Sequence, residues 1–175
     1  MEFEILVQNR QSCRDFNDKP VEIEKLKKVA ETALFAPSAC NSQPWKIYIV
    51  TDKEKVKSVA KSSQDLGMNK FASKAQAFFV VTEITAKLAI GAGLKFDKNH
   101  FVKYDVGELV AYLTLTAKNE GLDTCILGWL NHDNLKQAVG FTDNEFCAMI
   151  IAVGYSDAPL RKKVRKSFEE KIAII

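Results

Sequence analysis

The feature that most restricts the fold is the run Ala-Phe-Phe-Val-Val-Thr at residues 77–82. It has strand length and no polar alternation, which is the pattern of a central strand in a sheet rather than of a solvated edge. Residues 147–153 form a second run of this kind. Residues 45–51, with Ile47 and Ile49 on one face, and residues 124–130 read as two further strands, the latter as a strand or strand-like loop.

Between these strands lie segments of helical period. Apolar positions Ile23, Leu26, Val29, Ala30, Ala33 and Leu34 recur over residues 22–36, and Pro37 ends that helix. Residues 105–119 carry the clearest stripe, Val106, Leu109, Val110, Leu113, Thr116 and Ala117, with Gly121 as a stop. Shorter helices are expected at 2–9, with Ile5, Leu6 and Phe3 on one face, at 53–61, capped by Thr51 or Asp52, and at 134–139, capped by Asp133. Residues 85–104, with Gly91 and Gly93, match neither period and suit a lid or an irregular helix. Strands mixed with helices predict an α+β, or α/β sandwich, architecture in one domain spanning residues 1–175.

Several chemistries fit poorly. The four cysteines, Cys13, Cys40, Cys125 and Cys147, contain no Cys-x-x-Cys pair, which argues against structural zinc and against a redox dithiol. Only two histidines, His100 and His132, are available to activate a nucleophile, so neither a catalytic side chain nor a metal site is assigned. No apolar run reaches the roughly 18 residues that span a bilayer, and the start lacks the basic and long apolar regions of a secretory signal. A cytoplasmic protein is expected. The basic tail, Arg161, Lys162, Lys163, Arg165 and Lys166, lacks a nucleic-acid-binding motif or interleaved aromatics, so no nucleic acid is expected as partner.

Two segments carry candidate binding chemistry. In an extended chain Arg10, Ser12 and Arg14 point the same way and form a phosphate clamp of two guanidiniums and a hydroxyl. An unoccupied patch of surface charge explains the same residues. The loop 37–45, Pro-Ser-Ala-Cys-Asn-Ser-Gln-Pro-Trp, offers hydroxyls and amides suited to the edge of a heterocycle, or to its own backbone.

The order Arg10-x-Ser12-x-Arg14-x-Phe16, then the 37–45 loop, then Asp105-x-Gly107 leading a helix to Gly121-Leu-x-Thr-Cys125, resembles the nitroreductase family of FMN-dependent oxidoreductases. The resemblance runs from about residue 5 to 170, and the Pro-Ser-x-x-Asn-Ser-Gln-Pro-Trp segment is its most specific piece. It implies a mainly antiparallel sheet flanked by helices, in a homodimer that exchanges its C-terminal segments. By this resemblance Arg10, Ser12, Arg14, Lys163 and Arg165 hold the FMN phosphate and ribityl chain. Ser38 and Asn41 face the flavin of the partner subunit. The backbone at Leu127 and Gly128 lies near the flavin N5 edge, and Asn69 contacts the pyrimidine side. The implied activity is ping-pong electron transfer from NAD(P)H to a small oxidised acceptor, such as a nitroaromatic or quinone. A flavin storage module and reductive dehalogenation are the alternatives. The family often has two arginines in succession where this chain has Arg10 and Gln11. Arg161 precedes the Lys163–Arg165 pair and is expected to matter far less than Arg14.

Overall fold

A computed structural model describes residues 2–84 and 101–175. Four strands, β1 (Trp45–Val50), β2 (Ala77–Glu83), β3 (Asp123–Leu127) and β4 (Phe146–Gly154), form one antiparallel sheet in the order β1-β2-β4-β3. The apolar runs thus become the two central strands, β2 and β4. On β2, Ala77, Phe79 and Val81 enter one core, while Phe78 and Val80 enter the other. Alternate side chains of a strand leave opposite faces, so a run apolar at every position needs cover on both sides.

Helices α2 (Ile23–Ala33) and α4 (Val102–Asn119) cover the first face. Leu26, Val29 and Ala33 of α2 pack with Val106, Leu109, Val110, Leu113 and Ala117 of α4. Helices α3 (Lys53–Ser62) and α5 (His132–Val139) cover the second, through Val59, Ala60 and Leu135. Burial of each large aliphatic side chain contributes roughly 1.5–3 kcal/mol. That gain is what fixes both layers on the sheet.

Helix α4 starts at Val102, a turn earlier than its heptad-like stripe suggests, because buried Val102 joins the same face. Most of the 85–104 segment lies outside the described residues. Asp52 caps α3, accepting from the Glu54 and Lys55 amides. The cap of α5 is Asn131, not Asp133: its side chain accepts from the Asn134 amide, and Asp133 falls inside the first turn. In α1 (Phe3–Asn9) only Leu6 is buried, whereas Phe3 and Ile5 are exposed. No helix among the described residues is long and apolar enough to cross a membrane.

Half-buried Glu145 ties the first two strands to the turn before β4. It accepts from the Tyr48 hydroxyl on β1 at 2.8 Å, from Thr82 on β2 at 2.7 Å and from Thr142 at 3.0 Å. Burial pushes this carboxyl up, but the bonds from Thr82, Tyr48 and Thr142 outweigh it and hold the pKa at about 2.

The end of β4 receives the segment that carries the candidate clamp. Phe16 is buried against Gly154, where a Cβ would stand 2.8 Å from the Phe16 ring and 3.3 Å from its Cβ. Gly154→Ala is therefore expected to destabilise the protein by about 1–3 kcal/mol through overpacking. Urea unfolding measures it, and an unchanged midpoint would mean that the ring moves aside freely.

Candidate functional site

The chain leaves α1 in an extended conformation. Ser12 forms an isolated parallel bridge with Thr124 of β3, and the Cys13 amide donates to the Thr124 carbonyl at 2.8 Å. Cys13 points into the second core. By strand alternation Arg10, Ser12 and Arg14 then share the opposite side, which is the arrangement read from their spacing.

The tail returns to the same place. Beyond β4 the Asn17 amide donates to the Tyr155 carbonyl at 2.9 Å, and Asn17 Nδ2 donates to Asp157 at 2.8 Å. Gln11 Nε2 then donates to the Pro159 carbonyl, and Gln11 Oε1 accepts from the Arg161 amide. Lys163 Nζ donates to the carbonyls of Val7, at 2.9 Å, and Arg10. The result is an open cleft of about 280 Å³ lined by Arg10, Ser12, Arg14, Arg161, Lys163 and Arg165, among others. Arg161, expected outside the clamp, lines it.

Charge in this cleft is of one sign. Among the described residues no carboxylate lies within ion-pair distance of Arg10, Arg14, Arg161, Lys163 or Arg165. Partial burial, and then the guanidiniums of Arg10 and Arg165, hold the Lys163 ammonium below the ordinary lysine range. Like charges held together in this way are relieved by an anion, and guanidinium forks match phosphate oxygens. The Cys125 thiol beside the cleft is unsuited to nucleophilic work: burial pushes it up, against the pull of Arg14. Cys147, near the other end of β4, is pushed up to about 12 by burial.

The other expected residues fall into two groups. Asn69 lies on the Arg14 flank: it opens the 3-10 turn Lys70–Lys74, whose Phe71 ring centroid is 6.0 Å from the Arg14 guanidinium carbon. Its backbone is left-handed, and its side-chain amide donates to the Ser63 carbonyl at 3.0 Å. Leu127 ends β3, the strand that carries the Ser12 bridge, and Gly128 follows it.

Ser38 and Asn41 are not brought to the cleft within one chain. Their loop leads into β1, at the sheet edge opposite β3. Ser38 Oγ accepts from the Gln43 amide at 3.0 Å, and Asn41 Oδ1 accepts from Gln43 Nε2 at 3.1 Å. Cys40, Asn41 and Gln43 all have left-handed backbones, with φ of 52°, 53° and 45°. Each such non-glycine residue costs on the order of 1–3 kcal/mol. The Ala39 amide donates to buried Asp105 at 3.1 Å. Among the described residues Asp105 Oδ2 and Ser42 Oγ are buried without a partner. Strain and unpaired buried polar atoms together mark this loop as shaped for something other than stability.

A model of the nitroreductase family matches residues 7–155. The chain belongs to the nitroreductase family. It is 26% identical to an Archaeoglobus fulgidus protein described as an NADH dehydrogenase/NAD(P)H nitroreductase, over 86% of this chain and 83% of that one. Its fold is similar to that of a nitroreductase family protein from Streptococcus pneumoniae TIGR4, with a TM-score of 0.87 at 20% identity, covering 99% and 100% of the two chains. It is also similar to a protein described as an FMN-dependent nitroreductase from Clostridium difficile R20291, with a TM-score of 0.77 at 23% identity, covering 97% and 96%. The antiparallel sheet with helices on both faces is thus the nitroreductase fold.

Sequence reasoning misses Gln11 and the place of Arg161. No local signal could have found them, since their partners lie about 150 positions away.

Proposed function

We propose that this nitroreductase binds FMN and uses it to carry electrons from NAD(P)H to a small oxidised acceptor, such as a nitroaromatic or a quinone. The observation that carries the reading is the cleft of unpaired cations built from the 10–14 segment and the tail. It suits one terminal phosphate. The chain has no Gly-x-Gly-x-x-Gly turn of the kind that cradles a pyrophosphate. The C. difficile structural neighbour is described as FMN-dependent, and the A. fulgidus relative as acting with NAD(P)H.

When bound, the flavin supplies the hydride and electron chemistry, and the protein supplies position and electrostatics. Arg10, Arg14, Lys163 and Arg165 would hold the phosphate, with Ser12 beside the ribityl chain. The main chain at Leu127 and Gly128 would border the ring edge that exchanges hydride, and Asn69 its pyrimidine side. Ser38 and Asn41 would come from a second copy, since in their own chain they occupy the far sheet edge. Each subunit of a homodimer would thus complete the other's site, with the C-terminal segments exchanged. We place the enzyme in the cytoplasm, where its four free thiols stay reduced.

The purified protein is expected to be yellow and to release FMN on heating, identified by chromatography. The bound flavin should bleach anaerobically with NADH or NADPH and recover its colour with a nitroaromatic or quinone. FAD as the main species would refute the single-phosphate clamp. A flavin that never bleaches would refute the oxidoreductase reading and leave a storage protein.

A further inference from the structure

We infer that Arg161 is a phosphate-binding residue and that Gln11 is the positioning residue that turns it into the cleft. This rests on the reading of the cleft as the FMN phosphate site. Gln11 uses both ends of its side-chain amide on the tail. Nε2 donates to the Pro159 carbonyl at 3.3 Å, while Oε1 accepts from the Arg161 amide at 3.1 Å and from Arg161 Nε at 3.4 Å. The same guanidinium donates through Nη2 to the Ser12 carbonyl. Two of its five N–H groups are thereby directed to neutral oxygens, and the other three have no partner among the described residues.

The chemistry of position 11 matters. A carboxylate there could not donate to Pro159 and would subtract a charge from the cleft. A cation would repel Arg161. A neutral amide fastens the tail in two directions and leaves the positive charge of Arg161 uncompensated. No described carboxylate lies within ion-pair distance of Arg161. Together with Lys163 Nζ on the Val7 and Arg10 carbonyls, this fastening offsets the repulsion between the cationic tail and Arg10 and Arg14. Gln11 thus brings a cation from about 150 residues away to the side of Ser12, where it borders the same cleft as Arg10 and Arg14.

The test is titration of apoprotein with FMN and with riboflavin, which has the same ring and no phosphate. Arg161→Ala and Gln11→Ala should each weaken FMN about tenfold, the scale of one charged hydrogen bond. Riboflavin affinity should stay within twofold. The double variant should be no weaker than Arg161→Ala alone, because both changes remove one unit. The inference is overturned if wild type takes up FMN while either variant stays within twofold of it. It is also overturned if riboflavin is weakened equally, which is the mark of a general structural effect, or if the two losses multiply. Wild-type protein that takes up no FMN overturns both this inference and the functional reading beneath it.

Discussion

Arg14→Ala is expected to lower the affinity of the apoprotein for FMN by roughly tenfold to a hundredfold, the loss of one charge-assisted phosphate contact worth about 1.5–3 kcal/mol. The substitution is a clean probe because the backbone at this place is held independently. The Cys13 amide keeps its bond to the Thr124 carbonyl, and Cys13 and Phe16 stay buried on either side of Arg14. The guanidinium has no described carboxylate partner whose charge would be orphaned, and its other neighbour is the Phe71 ring at 6.0 Å. Arg14→Lys should fall between the two, since it restores the charge without the bidentate fork. Wild-type affinity should decline as salt is raised, and the alanine variant should decline less steeply, because one screened attraction is gone. Flavin fluorescence titration at two ionic strengths measures both effects. An Arg14→Ala protein that binds FMN as wild type does would mean that the phosphate lies elsewhere.

How much of this is legible in the sequence depends on how local each determinant is. The strand at Phe78, Phe79, Val80 and Val81 is readable because its burial on both faces is written into consecutive residues. Arg10, Ser12 and Arg14 are readable as one surface for the same reason: alternation is a property of neighbours. The caps are less legible. Asp133 and Asn131 can each accept a hydrogen bond, and the choice between them depends on where the chain arrives from β3. Ser38 and Asn41 are visible as polar groups on a proline-bounded loop. The left-handed turn of Cys40, Asn41 and Gln43 is not, because apart from asparagine such residues seldom adopt it without tertiary constraint. Arg161 reads as solvated charge because nothing near it in sequence says otherwise. Its placement depends on Gln11 across the whole length of the fold.

Deletion of residues 167–175 is expected to weaken self-association by about a hundredfold or more and to release flavin in step with the dimer. The tail ends in Ile172, Ile174 and Ile175, all exposed, with Ile174 at 89%. Burying even two such side chains is worth roughly 3 kcal/mol or more, which is over a hundredfold in association. A surface suited to receive the tail lies at the β1 edge. Among the described residues strand β1 is paired on one side only, and beside it lies a groove of about 420 Å³ lined by Ala30, Leu34, Trp45, Ile47 and Ile49 together with Lys27, Glu31, Gln43 and Lys46. An added strand satisfies such an edge while its side chains fill the groove. Helix α4 adds to the case: behind its buried stripe, Tyr104, Gly107, Ala111 and Tyr112 are exposed on the opposite face. A second helix could approach closely at Gly107, where a Cβ would meet no other atom within 4 Å. Phe35, 83% exposed, precedes the Ser38–Asn41 loop that would serve the neighbour's flavin. A site divided between two chains binds its ligand only in the assembled state, so flavin should tighten the dimer and dilution should free the flavin. Sedimentation at several concentrations, followed by flavin absorbance, tests this for wild type and for the truncated chain. A truncated protein that sediments as a monomer with its full complement of FMN would refute both the shared site and the exchanged tail.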